Sequence, residues 1–444
     1  MTAVLAAPPG PAVGGTVGLG SVFRVEWRKL SSQLAVRILA LVCVLGPIAY
    51  VVVLKTQSGT PTDALLGVWA HTSGFAVIFV LLVFTGSWGF PVLAGVVAGD
   101  SFASEDRYGT WKTVLTRSCS RGAMFVGKVL AVAAMAELLV AIFAVSGVVT
   151  ALLIVGHQPT VGVSGNVIQP GHAAALVAAA WVWSMLPVLA FVALGVLFSV
   201  ATASGIAGVL GPILVGFAMQ LLALVGGSVW THLLLVGSAF DGWHAIVAQH
   251  PYYRPLIVSA LVCVVWTAAS LGVAWTIFRR REFADAGTGR RGDWSRVVRA
   301  VAVGLAALVL VALACTWGPT AITAERLQDS VTHTFNNLTI YQQQLLGRRV
   351  ASGAQLRAFT SCARRGHASS GPGDDWLCTI AVYSGGASGG LQQFNVHYDV
   401  TVQSNGCYRA DGPPNFVGAA TLTLPSGRTT VNPLFQFYGC FDTL

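Results

Sequence analysis

Gly122, four residues, then Gly127-Lys128, within SRGAMFVGKV at 120–129, is most of the loop that cradles nucleotide phosphates. In that loop backbone N–H groups and the lysine hold the phosphates, and a Ser or Thr after the lysine holds the magnesium ion. Here residue 129 is Val; the preceding TVLTRSCSR is polar and basic rather than a strand, and a long apolar run follows. With 50 glycines in the chain, chance matches are expected. Lys128 is expected instead at the base of a membrane helix, its stem carrying the ammonium out to the headgroups. Neither nucleotide binding nor any cofactor is expected of this chain.

Three other groups could do chemistry. Glu137 falls inside an apolar run, nine residues past Lys128 and about 14 Å along a helix. An intramembrane carboxylate is costly and faces a cavity or a partner. A substrate path, a pair across a dimer and a protonated acid among polar neighbours are all open to it. Cys362, Cys378, Cys407 and Cys440 lie in the polar C-terminal region, where an even number in a small exported domain implies disulfides. Three pairings exist; Cys362–Cys378 and Cys407–Cys440 are favoured because each closes a local loop. Cys43, Cys119, Cys263 and Cys315 are scattered and read as small apolar fillers. No C-x-x-C pair is present, so no structural zinc site is expected. His367, His397 and Asp399 have no spacing that builds a catalytic arrangement and are expected at the surface.

The elements that carry these residues follow from composition. Of 444 residues, 55% are hydrophobic and 10% charged, against about 25% charged in soluble domains. Mean hydropathy is +0.70. Seven apolar stretches are long enough to span, near 33–54, 74–99, 123–156, 172–200, 205–237, 255–278 and 298–318. The net charge of +9 could attract nucleic acid, but its distribution argues for membrane orientation instead. Sixteen basic residues (Arg24, Arg28, Lys29, Arg37, Arg107, Lys112, Arg117, Arg121, Lys128, Arg279, Arg280, Arg281, Arg290, Arg291, Arg296 and Arg299) fall on one side; Lys55 and Arg254 fall on the other. That asymmetry places the N-terminus in the cytoplasm and, with seven spans, the C-terminus outside. The excess of Arg over Lys points to a GC-rich bacterial genome.

Residues 1–20 read as a flexible tail, and 21–32 as an amphipathic interfacial helix, with Phe23, Trp27, Leu30 and Leu34 on one face. A six-span body occupies 33–281, a cytoplasmic linker 282–297, a seventh transmembrane helix 298–318, and an extracytoplasmic domain 319–444. In that domain 321–346 and 353–361 have helical character. WLCTIAVYS, QFNVHYDVTV, AATLTL and PLFQFYG alternate as half-exposed strands do, and SNGCY at 404–408 supplies an Asn-Gly turn. A small disulfide-bonded α+β fold is expected. The outward loop 238–255 offers Trp243, Tyr252 and Tyr253 to an interfacial belt.

The stretch from the second span to the third reads FPVLAGVVAGDSFASEDRYGTWKTVLTRSCSRGAMFVGKVLA. Glu105, Gly109, Thr110, Leu115, Ser120, Arg121, Gly127 and Lys128 match, in order, the signature of type-2 ABC exporter permeases, which this chain resembles. FRVEWRKL before span one and FRRREF after span six agree with it; Ser118 stands where that family usually has Pro. The resemblance covers about residues 20–285. It implies a membrane all-α six-helix permease bundle, here with a seventh helix and an ectodomain added. It implies a separate ATPase subunit that carries ATP and magnesium, and a second permease copy or paralogue as dimer partner. It also implies a cytoplasmic coupling segment at 100–121. There Gly109 permits a tight turn, Thr110 caps the following helix, Trp111, Val114 and Leu115 form an apolar ridge, and Glu105, Asp106, Arg107 and Lys112 supply rim pairs. Short re-entrant helices before span six would cap the exit. The alternative reading is a non-transporting membrane anchor or sensor that displays its ectodomain.

Overall fold

The computed structural model of the chain describes residues 18–57, 59, 64–111, 120–225, 229–281, 322–348, 357–366, 369–385 and 391–443. The N-terminal tail, Val114, Leu115, His367, the linker 282–297 and the expected seventh span at 298–318 lie outside these.

Among the described residues, six helices are long and apolar enough to cross a membrane, called spans 1 to 6 below. Span 1 is Leu34–Thr56 and span 2 is Gly74–Tyr108; span 3 is Arg121–Ile154 and span 4 Pro170–Thr202. Span 5 begins at Gly205 and span 6 is Arg254–Arg280. The polar turn after span 4 has Ala203 in the left-handed region, φ 54°, so spans 4 and 5 are separate helices. Span 2 contains a single π-turn at Thr85–Gly89 and loosens past Ala98 before a short helix at Ala103–Tyr108. Spans 2 and 5 approach closely where Gly99 and Gly208 meet, because a side chain on either would strike the other's backbone. Small residues let membrane helices pack in this way without a hydrophobic driving force.

The fifth span is shorter than the apolar run 205–237 predicts. Its helix ends by Val225, and the chain then folds into a short helix at Val229–Leu234 and turns through Gly237–Trp243 to His244–Val247. These turns enter the bundle. Trp243 is fully buried and stacks on Phe79 with ring centroids 4.8 Å apart. Phe240 packs on Phe90 and Phe191. Trp243 is therefore a core residue, not part of an interfacial belt; only Tyr253 of that trio is well exposed, at 57%.

The C-terminal region is a small α+β domain. A 22-residue helix, Ala324–Leu345, is capped by Thr323, whose hydroxyl accepts from the Arg326 backbone N–H. Five antiparallel strands form a sheet in the order β1 (Arg357–Arg364), β2 (Gly373–Gly385), β3 (Leu391–Val402), β4 (Cys407–Asp411) and β5 (Gln436–Cys440). Along β3, Val396, Tyr398, Val400 and Val402 are buried and Asn395, His397 and Asp399 are exposed, the period-two pattern the sequence shows. His397 bonds Thr379 and Asp399 pairs with Arg365, both on the exposed face. The expected helix at 353–361 is overturned where it is described. Residues 357–361 belong to β1, because Ala358 and Cys362 point inward and Phe359 and Ser361 outward, which is a strand period. The turn at 404–407 has Gly406 at φ 79°, as an Asn-Gly turn requires.

Both disulfides join directly opposed residues of neighbouring strands, Cys362 with Cys378 on β1–β2 and Cys407 with Cys440 on β4–β5. Cys43 and Cys263 are buried free thiols in spans 1 and 6. The first bridge spans 16 residues, and cross-linking a loop of that size removes about 3 kcal/mol of unfolded-chain entropy. Cys362→Ser with Cys378→Ser is expected to lower the unfolding free energy of the domain by about that amount, read from its near-ultraviolet dichroism in denaturant.

The domain sits on the loops at the end of the bundle opposite Lys128. Asn337 donates to Ser164 O and to Gln249, the Cys440 backbone N–H donates to Val163 O, and Tyr341 meets Trp69 edge-on at 5.9 Å. The chain thus leaves span 6 at one end of the bundle and re-enters the described structure at Ile322 near the other.

Candidate functional site: an ion-pair node at the base of span 3

Lys128 opens the site. It lies inside a continuous helix whose N-cap is Ser120, so the Gly-rich stretch is a helix start and not a phosphate loop. Gly127 is there because the helix Leu19–Ser32 crosses at that point. A β-carbon at Gly127 would lie 2.6 Å from Val22 Cγ1, closer than packed side chains come. The crossing covers Lys128, which is 1% exposed. Its ammonium does not reach headgroups as its position at a helix base predicts; it is turned inward to two carboxylates, Glu26 Oε1 at 2.8 Å and Glu105 Oε1 at 3.2 Å.

Glu105 is the hub. It accepts from Lys29 at 2.6 Å, from Lys128 and, at its second oxygen, from the Thr110 hydroxyl. Glu26 and Glu105 balance Lys29 and Lys128, two charges against two. That closure is what allows the group to be buried, because an unpaired charge in such a place carries a penalty of several kcal/mol. Glu105 and Asp106 therefore do not stand on a free rim. Asp106 pairs with Arg281 at 2.7 Å, and Arg107 with Asp100 at 3.0 Å. Arg121 donates to the Arg279 and Arg281 carbonyls, tying the start of span 3 to the end of span 6.

Beneath the charges lies an aromatic cluster. Trp111 is 4% exposed and packs on Phe102 and Phe278, with centroids 6.2 and 5.2 Å away. Phe125 closes the cluster against Phe102 and Phe278. Lys128 Nζ stands 5.8 Å from both the Phe102 and Trp111 rings, within cation–π range. Trp111 thus points into the bundle and is not the exposed crest of an apolar ridge; Val114 and Leu115, its expected companions, lie outside the described residues.

Gly109 ends the short helix Ala103–Tyr108 in the left-handed region, φ 64°, and the Thr110 N–H returns to Glu105 O. Nothing lies within 4 Å of a β-carbon there, so a substitution meets only backbone strain. Gly109→Val is expected to cost about 1–2 kcal/mol and Gly109→Asn much less, since Asn visits that region. Equal thermal midpoints for the two variants would show that positive φ is not what the site requires.

Glu137, half-way along span 3, has both carboxylate oxygens buried without a hydrogen-bond partner among the described residues. It is not part of the node, and no residue described here pairs with it.

With this geometry in place the chain can be compared with known proteins. Residues 41–284 match a family described as a protein of unknown function, DUF2705. The chain belongs to this family. The matched stretch runs from within span 1 to just past span 6, so it contains Glu105, Trp111 and Lys128 but not Glu26 or the sheet domain. No curated protein matches the chain.

The helix Leu19–Ser32 was legible in the sequence, but its partner was not. Val22, Glu26 and Leu30 are its buried residues. An acid at the i+4 position between two apolar residues of one stripe was the available signal for a buried ion pair.

Proposed function

We propose that this chain is the permease subunit of an ABC exporter: it forms the membrane path and is driven by a separate ATPase subunit. On this reading the basic end of the bundle is cytoplasmic and the disulfide-bonded domain is extracytoplasmic, the compartment where such bridges persist. A second permease copy or paralogue completes the path within the lipid.

The observation that carries the reading is the node around Lys128. The segment 100–111, which the resemblance assigns to coupling, is not a loose connector. Through Glu105, Asp106 and Trp111 it is fastened to the interfacial helix, to the base of span 3 and to the end of span 6. A push applied to that segment by a closing ATPase would move three elements as one body. An anchor that only displays a domain has no use for such a linkage.

The test is reconstitution. The full chain, purified from native membranes with the ATPase that accompanies it and placed in liposomes, is expected to hydrolyse ATP with turnover that responds to mutation of the node. Co-purification of no ATPase from native membranes, together with no ATP turnover in liposomes, would leave the anchor reading.

A further inference from the structure

The far end of the bundle holds a cavity that neither the packing nor the coupling reading uses. Its volume is about 210 Å³, far more than the roughly 10–15 Å³ that one water requires and enough for a small organic solute. Two walls come from the bundle. Span 2 gives Ser87, from its π-turn, and the re-entrant turn gives Asp241 and His244. These two walls meet closely: a β-carbon at Gly86, beside Ser87, would lie 2.9 Å from Phe240 Cβ. π-turns inside α-helices are frequent at functional sites. The third wall is the sheet domain. Thr401, Arg409 and Tyr438 are directly opposed on β3, β4 and β5, so they share one face of the sheet, and all three line the cavity. The other face packs on the helix Ala324–Leu345, through Tyr398 and Tyr408.

We propose that this cavity binds a small water-borne solute through its primary ammonium group, with Asp241 and His244 as the acceptors.

His244 is 6% exposed, and its Nε2 has no hydrogen-bond partner among the described residues. Its Nδ1 is 3.5 Å from Cys407 Sγ. That sulfur is bonded to Cys440 and has no proton to give. The ring therefore donates Nδ1–H, and Nε2 keeps a lone pair. Asp241, three residues earlier, makes one ion-pair contact among the described residues, a long one of 3.9 Å to His232 Nε2. Asn405, reaching over from the sheet domain, hydrogen-bonds the carboxylate and orients it. Buried acceptors are paired in the great majority of cases. A lone pair beside a carboxylate is matched by an occupant that brings several N–H donors together with positive charge. A primary ammonium has three donors and no acceptor.

The rest of the cavity sets the rest of the ligand. Arg409 on the far wall is answered by Asp411, 3.0 Å from its Nε, so the sheet does not call for an anionic group. Thr401, Gln403 and Tyr438 offer hydroxyls and an amide, which suit a neutral polar tail. A whole wall belongs to the sheet domain, so the occupant comes from water rather than from the bilayer. A smaller void of about 30 Å³ shares Asp241, His244 and Asn405 with the cavity and is lined also by His232 and Ser238. It has room for one water, a partner for His232 Nδ1 and Ser238 Oγ, which have none among the described residues. The site stands whether the chain exports the solute or senses it.

The test uses the full chain in a detergent without amine groups. The probes are amino alcohols from ethanolamine to aminopentanol, read by titration calorimetry and by the thermal midpoint. At least one of them is expected to bind at one equivalent and to raise the midpoint. Choline, whose nitrogen carries no N–H, and diols of matching length, which carry no charge, are expected to do neither. Asp241→Asn keeps the shape of the side chain and should weaken amine binding by about 10–100-fold, the worth of a hydrogen bond to a charged group. Glu325→Gln, a like change of charge at an exposed position of the helix Ala324–Leu345, should leave it unchanged. The contrast of amine with choline and diol needs only the wild type, so it holds even where a variant fails to fold. Absence of binding by every amino alcohol, as when the cavity holds water only, overturns the site. So does equal binding of choline, or undiminished binding by Asp241→Asn. Displacement of the amines by phosphatidylethanolamine overturns the water-borne solute in favour of a lipid headgroup.

Discussion

Lys128→Ala is expected to lower the stability of the chain more than any other single change at the base of span 3, by about 3–5 kcal/mol. The lysine is 1% exposed and stands between Glu26 and Glu105, whose side chains are each 11% exposed. Removing it leaves two carboxylates facing each other under a helix crossing, with only Lys29 among the described residues to offset them. The cost is mainly that of the abandoned charges rather than the worth of the lost contacts. A second variant separates the two. Lys128→Met with Glu26→Gln and Glu105→Gln removes both carboxylates that would be stranded, leaves only the 37%-exposed Lys29 charge to water, and keeps most of the volume, so it should recover much of the loss. Thermal scans of the purified protein in detergent read both. If Lys128→Ala and the triple variant fall equally, the burial is a matter of packing and the charges do little.

That node shows which parts of the structure a sequence carries openly. The long apolar runs are local, and five of the six helices lie within a few residues of where hydropathy puts them. The disulfides were also legible, since each pairs cysteines on adjacent strands and closes a short loop. Lys128 and Glu105 are different. They are 23 residues apart, Lys29 and Glu105 76 apart, and their meeting depends on one helix crossing another at Gly127. Nothing in the period of either segment announces it. The re-entrant turn after span 5 was hidden for another reason. The run 205–237 is apolar throughout, so it reads as one long span, while the helix stops by Val225 and a re-entrant turn takes the rest into the bundle. The same turn carried Trp243 from an expected membrane surface into the core. Apolar composition states that a residue avoids water; it does not state whether lipid or protein takes water's place.

Trp111→Ala carries the second large effect, and it tests the proposed function as well as the fold. The indole packs on Phe102 and Phe278 and is 4% exposed. Truncating a buried aromatic of this size costs about 3–5 kcal/mol, part of it for the cavity left behind. Here the cavity would open among the elements that the node ties together, beneath Lys128. Because Trp111 faces the bundle, its loss should damage transmission rather than docking. The ATPase should still co-purify with Trp111→Ala at matched membrane expression, while ATP turnover loses its response to transported substrate. Trp111→Phe, which keeps a ring against Phe278, should retain most of that response. The opposite pattern would be informative in its own way. If Trp111→Ala keeps its thermal midpoint but no longer holds the ATPase, the indole leaves the bundle to meet the partner, and the inward packing seen here is a resting arrangement that docking undoes.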